Sequence, residues 1–454
     1  MAADRAADAA RLRAQLAIDP RDAVSWHNLA SAEGDLGHAD EAANAARRAL
    51  ALGIGAPETR FVLARALQDQ GRLDEAERLF EECVALRPRY GEAHRDLAQL
   101  RWMRSGETSF ALKALDKALA EAPGDPALHL VRSIVLEFTG DAGGALASAQ
   151  AGVSAAAADV ELLQQAAHLS AELGEGAQAL SHAQRAAALA PGPATGITLC
   201  EALLAAGRVP EAESVAAGLR AVNPLDQHAI ALQASAWRLL GDRRYAEWHD
   251  YSALVSAERI EPPAGWSTRA AFLADLRADL ESLHRFKSHP FQQSVRGGSQ
   301  LPLHAAEMSR PVVKALFAAI ESMVNRRLAR LGRGTDPFRS QNTGRFTVTG
   351  AWSIRLTSGG YHTDHVHPRG WLSAVFYVDI PGEVASAPSA AAERAGWLRF
   401  GRAGLRTTPQ LPPDGFVQPE PGLLVLFPAY VWHGVEPFES ASARLSVALD
   451  ALPA

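Results

Sequence analysis

The sequence predicts an α solenoid followed by an α+β domain with a jelly-roll core, and three observations predict this fold class. Glycines recur at intervals of 33 to 35 residues through the first half of the chain, which is typical of a helical solenoid. The segment Ile260–Gly265 contains two prolines and interrupts that period. From Phe346 onward, hydrophobic residues recur with period two in short runs, which indicates β-strands.

The composition limits the class of protein. A chain of 454 residues is long enough for about two or three domains. The net charge of −6, from 45 basic and 51 acidic residues, disfavours nonspecific binding to nucleic acid. The two cysteines, Cys83 and Cys200, cannot build a disulfide framework and fit a reducing cytoplasm. The sequence has no apolar stretch of about eighteen residues and no signal-peptide pattern, so it predicts a cytoplasmic protein without a membrane span.

Each period predicts a helix, a tight turn and a second helix. Glycine permits the positive φ that ends the first helix, and an alanine five residues later lets two helices approach closely. One helix pair cannot bury its own apolar face, so neighbouring pairs must stack. The seven turn glycines are Gly37, Gly71, Gly106, Gly140, Gly174, Gly207 and Gly241.

These units resemble tetratricopeptide repeats over about residues 20–250. The first clear unit matches the repeat pattern at Trp26, Leu29, Ala30, Gly37, Ala42 and Ala49. The resemblance implies a protein or peptide partner, because stacked repeats form a concave groove that commonly holds an extended or helical peptide. Candidate groove residues on the first helices are Asn28, Arg60, Arg65, Arg95, Arg132 and Gln164.

The second half of the chain predicts helices followed by strands. We expect a solenoid domain over residues 1–255, a linker over 256–270 and a second domain over 271–454. Helices are expected at Arg269–Leu283 and Pro311–Leu331, with a polar loop at Gln292–Gly298 between them. The expected strands are Phe346–Leu356, Trp371–Ile380, Trp397–Phe400, Gly422–Phe427 and Arg444–Asp450. Many short strands following helices predict a compact β-sandwich or jelly roll.

Metal-ligand side chains cluster in this β region. The run Gly359–Pro368 holds three histidines and one aspartate within six residues. A distant histidine, His433, follows the strand that opens with Pro421, and Arg444 comes eleven residues after it. Imidazole and carboxylate ligands with open coordination positions suit a non-haem Fe(II) site. A basic side chain on a neighbouring strand can hold a dicarboxylate through paired hydrogen bonds.

Residues 285–454 resemble the 2-oxoglutarate/Fe(II)-dependent oxygenases, especially the prolyl-hydroxylase-like branch. The whole chain resembles bacterial proteins that fuse tetratricopeptide repeats to such a domain. The resemblance implies a double-stranded β-helix core of the jelly-roll or cupin type, with Fe(II) as cofactor and 2-oxoglutarate and O₂ as cosubstrates. It also implies a reaction that converts 2-oxoglutarate to succinate and CO₂ and hydroxylates a C–H bond.

The resemblance also implies roles for single residues. In this family, the strand after the first metal motif bears a Ser or Thr and a Tyr that faces the cosubstrate. A distal histidine completes the metal site, and a basic residue grips the far carboxylate of the cosubstrate. Those places are taken here by Ser373, Tyr377, His433 and Arg444. Ser446 shares the strand face of Arg444 and is a further candidate contact for that carboxylate.

The first metal motif, His-x-Asp in the family, has two possible registers here. Counted from the glycine turn, His365 and His367 take the ligand positions, which gives three histidine ligands with His433 and no carboxylate. The alternative pair, His362 and Asp364, keeps the usual ligand types. We favour the first register because the glycine spacing and the short run to the next strand fit it better. In that register His362 faces the cosubstrate and Asp364 orients an imidazole.

The sequence therefore predicts a 2-oxoglutarate- and Fe(II)-dependent oxygenase, with no catalytic side chains beyond the metal ligands, that hydroxylates a protein or peptide bound through the repeat groove. One alternative is a non-catalytic repeat scaffold with a degenerate oxygenase fold, which the missing carboxylate supports. Another is an oxygenase that acts on a small molecule, with repeats that only localise it.

Overall fold

The protein is described by a computed structural model, which covers residues 2–386 and 394–454. The chain divides into two compact units, residues 1–157 and residues 158–454. The first unit is built from helices, whereas the second combines helices with a β-sheet. None of the described helices is both long enough and apolar enough to cross a membrane.

The first unit contains one leading helix and four helical hairpins. Each predicted turn glycine of the whole chain has a positive φ, between +67° and +97°, so these turns form as the glycine period predicts. Aspartates also define helix starts: the Asp22 carboxylate accepts hydrogen bonds from the backbone N–H groups of Val24 and Ser25. The helices are α1 Ala2–Ile18, α2 Ala23–Asp35, α3 Ala39–Ala51, α4 Pro57–Asp69, α5 Leu73–Leu86, α6 Gly91–Ser105, α7 Thr108–Glu121, α8 Pro126–Phe138 and α9 Ala142–Ala155.

The second unit begins with three more hairpins of the same kind. The alanines five residues after the turn glycines are fully buried in the first two of them, at Ala179 and Ala212, which allows close packing of the helix pairs. In the last hairpin Ala246 is exposed and the second helix is short, so the repeat pattern ends there. The helices of this unit are α10 Val160–Glu172, α11 Gly176–Leu189, α12 Pro193–Ala205, α13 Val209–Val222, α14 Gln227–Leu240, α15 Arg244–Trp248, α16 Tyr251–Leu254, α17 Arg269–Glu281, α18 Ala305–Met308, α19 Pro311–Leu331 and α20 Gly382–Ala385.

The strands of the second unit form one antiparallel sheet that folds over on itself. The strands are β1 Ser256–Arg259, β2 Val295–Pro302, β3 Phe346–His365, β4 Leu372–Asp379, β5 Leu398–Phe400, β6 Gly415–Val417, β7 Leu423–Pro428, β8 His433–Val435 and β9 Arg444–Pro453. Their order is β1-β7-β4-β9-β3-β8-β5-β6, and β2 also pairs with β3. The first part of β3 pairs with β9, and its last residues pair with β8. Strand β3 therefore belongs to both halves of the sheet, which confirms the predicted double-stranded β-helix.

Several strands differ from the predicted ones. Strand β3 continues past Leu356 to His365, because β2 pairs with it on both sides of the glycine turn. For the same reason the predicted polar loop Gln292–Gly298 is partly strand, since β2 begins at Val295. Residues 256–259 of the expected linker also pair with β7. The domain boundaries themselves stay a prediction.

Helices α10, α12 and α14 pack directly against the β domain within the second unit. Residues 401–414, between β5 and β6, are here called the docking segment. The Arg238 guanidinium on α14 donates hydrogen bonds of 2.9 Å to the carbonyls of Gly401 and Pro412. Thr408 donates from its backbone N–H and its hydroxyl to the last carbonyls of α12, at 3.1 and 2.8 Å. The docking segment therefore covers part of the surface of these repeats.

The same contact includes side chains from the β domain. Val366, Ala403, Leu405 and Trp432 join one buried apolar cluster with the alanines and leucines of helices α10 to α14. The Trp432 indole N–H donates to the Ser235 hydroxyl at 3.0 Å. This burial removes apolar surface from water on both sides of the contact, so the last three hairpins support the β domain.

We therefore predict that two truncations will behave differently. A protein lacking residues 1–157 loses one compact unit, and it should keep a cooperative thermal transition and near-UV circular dichroism. A protein lacking residues 1–250 exposes Trp432 and Leu405, and it should aggregate or lose near-UV dichroism. Near-UV dichroism and size-exclusion chromatography measure both proteins. A monomeric, fully structured 251–454 protein would contradict this prediction.

Candidate metal centre and cosubstrate pocket

Three imidazoles converge where the two halves of the sheet meet. His365 ends β3 and lies directly opposite His433, the first residue of β8. His367 follows two residues after His365, and its Nε2 atom lies 3.2 Å from the Nε2 atoms of both other histidines. The strand pairing therefore unites residues that are 68 positions apart in the sequence.

Backbone carbonyls determine the tautomers of two of these imidazoles. The Nδ1 atom of His365 lies 2.9 Å from the Thr363 carbonyl oxygen, and that of His433 lies 2.9 Å from the Val431 carbonyl oxygen. A carbonyl oxygen only accepts hydrogen bonds, so each Nδ1 carries the proton. Burial lowers the pKa of His365 to about 3 and holds the pKa of His433 well below its ordinary value. Both rings are therefore neutral, and their Nε2 lone pairs point into the cluster.

A carboxylate orients the third imidazole. The Nδ1 atom of His367 lies 2.5 Å from Oδ2 of Asp450, and the hydroxyl of Ser373 donates to Oδ1 of the same carboxylate at 2.8 Å. Carboxylates commonly orient metal-binding histidines in this way and make them more basic. The expectation that Asp364 plays this part is corrected, because Asp450 takes that place.

The Nε2 atom of His367 lies as far from the other two Nε2 atoms as a second ligand of one metal ion would lie. Two nitrogens that each lie about 2.1 Å from an ion are about 3.0 Å apart at a right angle and about 3.4 Å apart at the tetrahedral angle. The observed spacing of 3.2 Å lies between these values. Among the described residues, His365, His367 and His433 form the group close enough to hold a metal ion. Neutral imidazoles suit divalent iron, zinc, copper and nickel.

The alternative ligand pair does not assemble. The carboxylate of Asp364 forms ion pairs with Arg399 and Arg402, at 2.8 and 2.6 Å. His362 is buried beside the cluster, where Ser294 Oγ lies 3.0 Å from its Nδ1 atom. Burial and the nearby charges of His365 and Arg444 hold its pKa well below the ordinary value. His362 therefore lies within electrostatic range of both the cluster and Arg444, and its place beside the cosubstrate stays a prediction.

A buried guanidinium lies on the same face of the sheet. Arg444 is 1% exposed, and its guanidinium carbon lies 5.0 Å from the centre of the Tyr377 ring. Its Nε atom is buried and lacks a hydrogen-bond partner among the described residues, and the buried Tyr377 hydroxyl lies close enough to interact with the guanidinium. Burial lowers the pKa of the Arg444 guanidinium and raises the pKa of the Tyr377 hydroxyl. Unsatisfied buried donors are costly, so this pair is suited to an anionic ligand.

The strand register places this pair and the metal cluster along one inner face. Ser446 lies opposite Tyr377, and Asp450 lies opposite Ser373. Ala448 lies between them on β9, and it is partly exposed, as are its cross-strand neighbours Trp352 and Val375. The side chain at the centre of this face of β9 is therefore only a methyl group.

Asp450 is the functional residue that sequence reasoning missed. It ends the strand predicted from Arg444 onward, and period-two alternation from Arg444 through Ser446 and Ala448 places it on the same face. That alternation was a sufficient signal to place it beside the site. Its hydrogen bond to His367 could not be predicted in this way. It depends on the path of the chain after β3, and the alternation of residues in β9 carries no information about that path.

The comparison with protein families identifies both parts of the chain. Residues 350–450 match the family described as "Putative 2OG-Fe(II) oxygenase". Residues 67–134 and 193–217 match models of the tetratricopeptide repeat. The chain therefore joins tetratricopeptide repeats to a domain that matches the family described as "Putative 2OG-Fe(II) oxygenase". The oxygenase match begins in β3 and ends at Asp450, so it contains all three histidines of the cluster.

Solved structures match the repeats at low identity. The yeast Tom70 structure is 15% identical with a TM-score of 0.41, and the match covers 54% of each chain. The APC/C hetero-tetramer Cut9–Hcn1 is 14% identical with a TM-score of 0.37, over 51% of this chain and 46% of that one. A thermophilic repeat protein of Thermus thermophilus, TTC0263, is 24% identical with a TM-score of 0.29, over 48% of this chain and 99% of that one. This chain thus spans about half the length of the first two, and no curated protein matches it.

We predict that Asp450→Asn will weaken metal binding. The substitution removes the negative charge that orients His367, and the loss of such a partner typically lowers metal affinity by about 10- to 100-fold. Anaerobic titration with Fe(II) measures the affinity. The matched control is Asp379→Asn, on β4, which removes a carboxylate paired with Arg277 instead. Equal affinities for the two variants would contradict the role of Asp450.

We also predict that the metal-free protein loses stability in acid. The pKa of His365 is about 3 in the folded protein and 6.5 ordinarily, so the unfolded chain binds this proton at higher pH. The neutral His365 ring contributes fully to the free energy of unfolding above pH 6.5. This contribution is lost by about 1.4 kcal/mol per pH unit as the pH falls towards 3. Urea unfolding at a series of pH values measures this slope. In His365→Asn, unfolding should take up about one proton fewer, so the free energy of unfolding should depend less steeply on pH. An unchanged slope would contradict the prediction.

Proposed function

We propose that this protein is a 2-oxoglutarate- and Fe(II)-dependent oxygenase in which His365, His367 and His433 hold the iron. The observation that carries this proposal is the convergence of three Nε2 atoms whose Nδ1 atoms are all hydrogen-bonded to oxygens. Nε2 lone pairs this close to one another repel unless a cation or a shared proton lies between them. When bound, Fe(II) supplies open coordination positions for 2-oxoglutarate and O₂.

The chain's own residues position the cosubstrate. Arg444, with Tyr377 and Ser446, would hold the far carboxylate of 2-oxoglutarate, and His362 would line the path from there to the histidines. Two observations support this placement: the buried Nε atom of Arg444, which lacks a partner among the described residues, and the small Ala448 between Ser446 and Asp450 on β9. A guanidinium excluded from water forms strong paired hydrogen bonds with a carboxylate.

The charges of the site are consistent with a dianionic cosubstrate. Three neutral imidazoles leave both positive charges of a ferrous ion uncompensated, whereas a ligand carboxylate would cancel one of them. Asp450 supplies its negative charge one hydrogen bond further out, through His367. A carboxylate of 2-oxoglutarate would supply a second negative charge. The charge around the iron would therefore be close to neutral only when the cosubstrate is bound.

We further propose a protein or peptide substrate that docks on the repeats of residues 23–155. The repeats of the second unit already contact the docking segment and Trp432, so an external peptide would have to displace the chain's own residues there. The repeats formed by α2 to α9 belong to the other compact unit. The alternative is a small-molecule substrate, and turnover by the 158–454 protein would favour it.

Arg444→Gln provides the test of cosubstrate binding. We expect wild-type protein with Fe(II), ascorbate and 2-oxoglutarate to form succinate, and to bind 2-oxoglutarate only when Fe(II) is present. The variant should bind 2-oxoglutarate about 10- to 100-fold more weakly, because hydrogen bonds to a charged group are lost. Anaerobic calorimetry measures this. Arg355→Gln is the matched control, since Arg355 lies opposite Leu445 and therefore on the other face of the sheet.

A non-catalytic scaffold remains the competing function, supported by the absence of a carboxylate from the histidine cluster among the described residues. A scaffold would hold iron well below one equivalent, and partner binding would survive His433→Ala. If wild-type protein binds no Fe(II) and forms no succinate with any candidate substrate, the oxygenase proposal is wrong and the scaffold is favoured.

A further inference from the structure

The carboxylate of Asp364 is held by two guanidinium groups. Arg399 donates to it from Nε at 2.8 Å and from Nη2 at 3.0 Å, and Arg402 donates from Nε at 2.6 Å. The side chains of Asp364 and Arg399 are 6% and 1% exposed. A buried carboxylate with three charge-assisted hydrogen bonds is held in one orientation. These three residues are here called the Asp364 clamp.

The clamp lies directly behind two of the three histidines. Asp364 precedes His365 in β3, and Arg399 of β5 lies opposite Gly434, the residue after His433. A Cβ atom at position 434 would lie 2.6 Å from Oδ1 of Asp364 and 2.9 Å from Nη2 of Arg399. The clamp therefore fills the space behind the strand pair that carries His365 and His433, so neither strand can shift into it.

Arg399 also binds the backbone of β3 two residues before Asp364. Its Nη2 atom donates to the carbonyl of His362 at 3.2 Å, and its Nη1 atom lies 3.2 Å from a carboxylate oxygen of Glu436. Two guanidinium groups thus meet two carboxylates, and the buried charges are balanced. The side chain of Asp364 and the backbone two residues before it are thereby both bonded to Arg399 of β5.

Arg402 lies in the docking segment, which is attached to the repeats. The Gly401 carbonyl accepts from Arg238 of α14, and Thr408 donates to the end of α12. A Cβ atom at Gly404 would lie 2.0 Å from the Asp364 carbonyl oxygen, so the segment passes close against β3. The repeats therefore hold the backbone from which Arg402 reaches Asp364.

We propose that the Asp364 clamp positions His365 and His433 for metal binding, and that the last repeats act on the metal centre through Arg402. This inference rests on the proposed metal centre. Asp364 is thus a positioning residue whose side chain points to the guanidinium groups behind the metal site. The competing possibility is that Asp364 leaves the guanidinium groups and becomes a metal ligand.

Co(II) binding by the metal-free full-length protein distinguishes these possibilities. Calorimetry gives the affinity, visible absorption reports the ligand geometry, and thermal unfolding of the metal-free protein reports folding. The main variant is Arg402→Gln, which leaves the buried Asp364–Arg399 pair intact. Its matched control is Arg369→Gln, since Arg369 is an exposed arginine two residues after His367 and its substitution removes the same charge close to the site. Asp364→Asn, His365→Ala and the Asp364→Asn/Arg402→Gln double variant complete the set.

We expect Arg402→Gln to weaken Co(II) binding by about tenfold, with the unfolding temperature of the metal-free protein and the absorption spectrum retained. The double variant should be no weaker than Asp364→Asn alone, because both substitutions break the same contact. Two results would overturn the clamp and leave the metal centre intact. The first is that Arg402→Gln binds Co(II) as tightly as its control Arg369→Gln does. The second is that Asp364→Asn loses Co(II) binding and changes the absorption spectrum in the same way as His365→Ala. Wild-type protein that binds no Co(II) would overturn the metal centre as well.

Discussion

Three imidazole Nε2 atoms held close together are the constraint on which the rest of the site depends. Without a cation they repel one another, and each ring is prevented from turning away by the hydrogen bond of its Nδ1 atom. The acceptors are the backbone carbonyls of Thr363 and Val431 and the carboxylate of Asp450, so the arrangement is built into β3, the turn before β8, and β9. A divalent ion would convert this unfavourable convergence into coordination bonds, which links metal binding to the stability of the fold. Arg444 and Asp450 lie on one face of β9, so the antiparallel register also sets the distance from the cluster to the guanidinium.

The contact between the last repeats and the oxygenase domain changes how the repeats are understood. Helices α10, α12 and α14 bury Trp432 and Val366, and each of these residues is a chain neighbour of a cluster histidine. Repeats of this kind commonly bind peptides, but here three of them bind a segment of their own chain. They thereby become part of the structure that supports the histidines, and the docking segment carries Arg402 to the Asp364 clamp.

The sequence by itself determined the features that depend on local periodicity. The glycine period predicted seven helical turns because a positive φ is a property of single residues, and period-two alternation predicted most strands and the shared face of Arg444 and Ser446. The glycine spacing also favoured His365 and His367 over the alternative pair of ligands. Strands β6 and β8, of three residues each, were missed.

Only the tertiary structure decided which distant groups meet. Asp450 rather than Asp364 orients an imidazole, because the fold-over of β3 brings His367 to the end of β9 while Asp364 turns towards β5. The occupation of the last repeats by residues 401–414 was equally hidden, since a docking segment has no period of its own. Contacts between residues far apart in the chain depend on strand register and loop paths, and a single sequence specifies these only through the packing of the whole fold.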